Sequence, residues 1–162
     1  MSFIDRFVSF FGKVSSYLVA ILAFLVVYDA LSRYAFHEGS VALQELEWHI
    51  FDVIFLLGLS WGLQSDEHVR VDILYSKFSP KTKAVVNLIS MLFLVIPFSL
   101  LVVYMSSNFI YLSYLQNEIS SDPGGLKYRY MIKGFIAFGF VLLALQALSE
   151  AYKNYKILRG QK

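Results

Sequence analysis

The chain has 162 residues, of which 57% are hydrophobic and 16% charged, and its 14 basic and 12 acidic residues leave a net charge of +2. With a mean hydropathy of +0.59 there is too little polar material to clothe a soluble domain of this length, so the composition is that of a membrane protein. It argues against disorder and against nucleic-acid binding, since no basic cluster stands out, and the absence of cysteine excludes disulfides, thiolate metal sites and cysteine nucleophiles.

Four apolar blocks follow one another, at 14–32, 48–63, 84–115 and 131–151. They predict an all-α membrane protein with four transmembrane helices in one integral domain over 1–162. The first block is preceded by Asp5 and has no small-x-small cleavage site before Arg33, so it reads as a retained helix rather than a signal peptide. Between it and the second block, Ala35, Phe36, Val41, Leu43 and Leu46 offer an apolar side, the pattern of an interfacial helix. The second block has only 13 uncharged residues between Asp52 and Asp66, with Trp48 and Trp61 placed near its ends as interfacial anchors. Within it Gly58 and Gly62 form a G-x-x-x-G, a spacing that lets helices approach closely.

The third block runs for 34 uncharged residues from Ala84 to Asn117, on the order of 50 Å of helix against a hydrocarbon core of about 30 Å. It must tilt, kink or project. Pro97 is the candidate kink, and Ser106, Ser107 and Asn108 mark either a break or a packing face. The fourth block carries Lys133 near its start, with a stem long enough to reach the headgroups. Before it, 120–125 is a turn-rich exposed loop. Of the 14 basic residues, 10 fall in the two tails and the middle segment and 4 on the opposite side. The positive-inside rule therefore predicts cytoplasmic N and C termini and puts Glu38, Glu45, Glu47, Glu118 and Asp122 outside.

Few polar groups remain for chemistry. Glu45, His49 and Asp52 share one helix face at i, i+4 and i+7, readable as an ion or proton site or as an interfacial polar seam reaching Arg33. Asp29 and Arg33 stand at i, i+4, the spacing of a local ion pair. His37 and His49 lie toward one side and His68 toward the other, so no pair faces across the bilayer centre as bis-histidine haem would need. No Walker loop and no H-E-x-x-H occurs, which speaks against an enzyme. Three readings stay open on residues alone: a non-catalytic transporter subunit, an autonomous small exchanger or channel using Asp29 or Asp52, and a redox anchor using His49 and His68.

The most unusual polar stretch is His68-Val69-Arg70-Val71-Asp72, alternating polar and β-branched residues. Together with Arg33-Tyr34-Ala35-Phe36, Glu45-Leu46, Gly58, Phe78-Ser79-Pro80, Glu118-Ile119-Ser120, Gly134-Phe135 and Leu145-Gln146, it resembles the ordered elements of the small membrane (Q, DctQ-like) subunit of tripartite ATP-independent periplasmic (TRAP) transporters. Ile132 and 126–128 depart from that pattern, where such subunits often carry Pro and Pro-x-Trp. The resemblance implies a non-catalytic subunit of a bacterial or archaeal cytoplasmic membrane, with no cofactor of its own. It would scaffold a large permease that draws on a sodium gradient to take up an organic, carboxylate-type solute delivered by a periplasmic binding protein. It further implies structural or partner-contact roles for Arg33, Glu45, Gly58, Gly62, His68, Arg70, Asp72, Glu118 and Ser120.

Overall fold

A computed structural model describes residues 3–65, 75 and 78–160. Its four long helices are α1 (Phe3–Ala35), α2 (Val41–Gln64), α3 (Pro80–Leu115) and α4 (Arg129–Leu158), and each is long and apolar enough to cross a membrane. Each contains one of the apolar blocks and extends past it at one end or both. The hydroxyl of Ser40 caps α2 by accepting from the Leu43 amide, at 3.3 Å. Ser79 does the same for α3 through the Thr82 amide at 3.2 Å, with Pro80 in the first turn, where its missing N–H costs nothing. At the other end of α3, Asn117 takes a positive φ of 46°. The Glu118 amide there donates to the Ser113 carbonyl and the Asn117 amide to that of Tyr114, each at 3.1 Å, the two bonds of a Schellman cap.

The expected interfacial helix is not present as a separate element. Residues 36–40 link α1 to α2, and Val41, Leu43 and Leu46 belong to the first turns of α2, because the Ser40 cap starts the helix early enough to absorb them. The third span is also continuous. A π-helical turn at Met91–Val95 precedes Pro97, with the Ile96 amide bonded to the Met91 carbonyl, so the ladder is rearranged beside the residue that cannot donate. Ser106 and Ser107 return their hydroxyls to the carbonyls of Val103 and Tyr104 without breaking the helix. Ser99 and Ser113, one heptad to either side of Ser106, are buried.

In space the helices run α1, α2, α4, α3. α4 packs against α2 on one side and α3 on the other, while α1 lies mainly on α2 and touches α4 less. This open row exposes 11039 Å², against about 8,200 Å² for a compact soluble chain of 18.6 kDa. The core is correspondingly thin: Leu63, Met91, Leu143, Ala147 and Ala151, with Leu59, Leu88 and Phe140 against them. Small residues let the helices close. A Cβ on Gly139 would come within 3.0 Å of the Leu56 carbonyl oxygen, and one on Gly12 would enter the ring of Trp61. Trp61 is thus packed on α1, whereas Trp48 is largely exposed.

Candidate functional site

The polar side chains gather at the two ends of the row. One end holds both chain termini; the other holds the links at 36–40 and 116–128, and most of the residues singled out from the sequence lie there.

At that loop end, Arg33 forms an ion pair with Asp29, one turn back along α1. Asp29 is only 3% exposed, and its second carboxylate oxygen is buried without a partner. Glu45 projects from α2 into the loop before α4. It accepts a hydrogen bond from the Ser120 hydroxyl and another, at 2.6 Å, from the Leu126 amide. The loop is further closed by the Ser120 amide on the Leu126 carbonyl (3.0 Å) and the Arg129 amide on the Glu118 carbonyl (3.1 Å). A Cβ on Gly125 would meet the Ser120 side chain and come within 2.8 Å of Glu45 Oε2, so only glycine fits where the loop crosses the carboxylate.

Glu118 pairs with Lys133, whose ammonium also sits 3.8 Å from the centroid of the Phe109 ring. Lys133 is therefore held inward, between α3 and the loop, instead of reaching out to the headgroups. The Lys133 hydrogen bond holds the Glu118 carboxyl below the ordinary carboxylate range. His49 and Asp52 line the same cleft as Glu45, between α2, α4 and the end of α3. Among the described residues, no group of three His, Asp or Glu converges as a metal site.

Among the described residues, a Cβ on Gly58 or Gly62 would meet nothing within 4 Å. His68, Arg70 and Asp72 lie outside the described residues.

The terminal end holds a network that the sequence motifs did not single out. Asp5, 2% exposed in the first turn of α1, accepts at Oδ1 from Ser149 Oγ (2.9 Å) and Gln146 Nε2 (3.3 Å) and is 3.0 Å from Lys153 Nζ. Its carbonyl accepts from Gln64 Nε2 at 3.0 Å, and Gln64 Oε1 accepts from Ser9 Oγ at 3.1 Å. Glu150 joins it by accepting from Lys153 (2.7 Å) and Gln146 (2.8 Å). Asp5 thereby ties α1 to α4 through its carboxylate and to α2 through its backbone carbonyl. The available signal was the recurrence of polar residues at 146, 149, 150 and 153, a single face of an otherwise apolar helix. Between the two ends the buried contacts are apolar or are hydroxyls returned to helix carbonyls, such as Ser15 Oγ to Ile54 O at 3.0 Å and Ser99 Oγ to Val95 O at 2.7 Å.

The four membrane-capable helices thus carry polar clasps at both ends of an apolar middle. A family model described as the DctQ component of tripartite ATP-independent periplasmic transporters matches residues 22–156. The chain belongs to this DctQ family. The match begins inside α1 and ends inside α4, so it takes in Arg33, Glu45, Gly58, Gly62, His68, Arg70, Asp72, Glu118 and Ser120. Comparison with curated proteins found no match. Membership makes the chain a transporter component of the small-permease type, and the four apolar helices make it a multi-pass membrane protein.

Proposed function

We propose that this DctQ-family chain is the stationary partner of a large TRAP permease. It would hold part of that permease fixed while sodium-coupled uptake of an organic carboxylate, handed over by a periplasmic binding protein, takes place in the permease itself. The observation that carries this reading is the distribution of polar contacts. The buried carboxylates Asp5 and Asp29 are paired near helix ends, and hydroxyls in the middle donate to helix carbonyls, Ser99 to Val95 of its own helix and Ser15 to Ile54 of the neighbouring one. Among the described residues, no helix is broken at mid-membrane to present backbone groups to a solute, in contrast to transport sites built on discontinuous helices. The large exposed apolar surface of the open row supports association within the bilayer. In this reading both termini face the cytoplasm and the 116–128 loop faces the periplasm, where Glu118 and Ser120 meet the arriving binding protein.

Co-expression with the large permease of the same operon, followed by purification in mild detergent through a tag on this chain, tests the assignment. Stoichiometric recovery of both subunits is the expected result, and recovery of this chain alone would refute the scaffolding role. With no native cysteine present, labelling of Ser121→Cys by a membrane-impermeant maleimide in intact cells tests the orientation; labelling only in inverted vesicles would reverse it.

A further inference from the structure

Toward the loop end, a cleft opens over α4 between α2 and the end of α3. Its upper chamber, about 620 Å³, is lined by Trp48, His49, Asp52, Phe109, Asp122 and Arg129, together with the clasp residues already described. A narrower slot of about 240 Å³ shares Asp52, Ile132 and Lys133 with the chamber and continues along Phe55, Leu56 and Ile136. The space is therefore amphiphilic, with a charged chamber at the helix ends leading into an apolar slot toward mid-membrane.

The charges in the chamber divide into two sets. Glu45, Glu118 and Lys133 are engaged in holding the loop. The side chains of Arg129, Asp52 and Asp122 make no hydrogen bond or ion pair within the described residues. Around a common cavity, a guanidinium whose charge acts on Glu45 and Glu118 without bonding to either, and two carboxylates without a hydrogen-bond partner among the described residues, complement a phosphate beside a primary ammonium. Guanidinium pairs with phosphate in a fork, and an ammonium offers three donors to carboxylates.

We propose that this cleft binds one aminophospholipid with an ethanolamine-type headgroup. Its phosphate lies on Arg129, its ammonium faces Asp52 and Asp122, and an acyl chain fills the slot between Phe55 and Ile136. A quaternary choline head has no N–H for the carboxylates, and an anionic glycerol head brings no cation to them, so the charge pattern selects the ethanolamine head over both. The bound lipid would wedge α2 and α3 apart at this end, completing a contact that their own side chains leave open.

The test uses the full chain reconstituted in bilayers of equimolar phosphatidylethanolamine and phosphatidylcholine, released gently and weighed with its retained lipids by native mass spectrometry. One phosphatidylethanolamine per chain is expected, enriched about tenfold over phosphatidylcholine, the size of one charge-assisted hydrogen bond. Arg129→Gln and Asp52→Asn should each lower that enrichment about tenfold, and Ile136→Trp, which fills the slot, should lower total retention. Equal retention of the two lipids by the wild-type chain overturns the proposal whether or not the variants fold, as does unchanged enrichment in both charge variants. Adding glycerophosphoethanolamine or inorganic phosphate separates headgroup recognition from lipid recognition. If either displaces the lipid at parity, the site serves soluble phosphoesters and the lipid assignment fails. Loss of the lipid on assembly with the permease would likewise overturn it, showing the cleft to be a protein-docking surface.

Discussion

Asp5→Ala removes the acceptor that three groups of α4 share at the terminal end: Ser149 at 2.9 Å, Lys153 at 3.0 Å and Gln146 at 3.3 Å. Removing one partner of a fully buried charge pair costs about 3–5 kcal/mol. Two features reduce that here. Lys153 is 41% exposed on its side chain and keeps Glu150 at 2.7 Å, so its share is screened by solvent. Gln146 also keeps Glu150 as an acceptor, at 2.8 Å. What remains is chiefly the Ser149 hydroxyl left without this bond and the loss of the residual charge attraction, together about 2–3 kcal/mol. For a chain of this size that corresponds to a fall of about 5–10 °C in the thermal midpoint, measurable by tryptophan fluorescence or differential scanning in detergent micelles. Asp5→Asn keeps an acceptor for Ser149 and loses only the charge, so its fall should be about half as large. A double-mutant cycle between Asp5→Ala and Ser149→Ala should show a coupling of about 1 kcal/mol. A midpoint for Asp5→Ala within about 1 °C of wild type, or additive single mutants, would refute the view that this carboxylate clasps α1 to α4.

Three further outcomes follow from the same contacts. Gly125→Val should displace the loop from Glu45 and cost about 1–3 kcal/mol by overpacking, seen as faster proteolysis between Ser120 and Tyr128; unchanged proteolysis would mean that the loop has room the structure denies it. Gly12→Val and Gly139→Val should lower the midpoint of the isolated chain, because a Cβ there meets Trp61 or Leu56, whereas Gly58→Val and Gly62→Val should leave it unchanged. Under the proposed scaffolding role, the second pair would instead lower recovery with the large permease, and equal midpoints for all four variants would refute the packing argument. Glu118 has its carboxyl lowered by Lys133, so its contribution is complete above the ordinary carboxylate pKa of 4.5 and is lost as pH falls through the depressed value. Glu118→Gln should therefore flatten the acid limb of a stability-against-pH curve, and an unaltered limb would show that the pair adds no pH dependence.

What could be read from the residues was what depends on near neighbours. Apolar runs mark helices because a bilayer leaves backbone groups no partner outside the helix itself, so all four spans were visible. Asp29 and Arg33 were legible as a pair because helix geometry puts i and i+4 together. The interfacial helix was misjudged at the same scale: the stretch is apolar on one side, but the Ser40 cap places its residues in the first turns of α2. G-x-x-x-G identified a face able to approach a neighbour without saying whether this chain supplies one. Among the described residues, the close crossings fall at Gly12 and Gly139, and nothing packs within 4 Å of a Cβ on Gly58 or Gly62.

The sequence by itself determined the class of protein, the number of membrane-capable helices and, through ordered motifs, the family. Tertiary structure alone decided which polar groups meet across helices. Glu45 finds Ser120 across 75 residues and the Leu126 amide across 81, and Asp5 finds Ser149 across 144. Such pairs carry no periodicity, because they arise from the order in which helices stand side by side. In a low-dielectric surrounding a buried charge must be paired or neutral, so that same ordering turned a charge-poor composition into two polar clasps separated by an apolar middle.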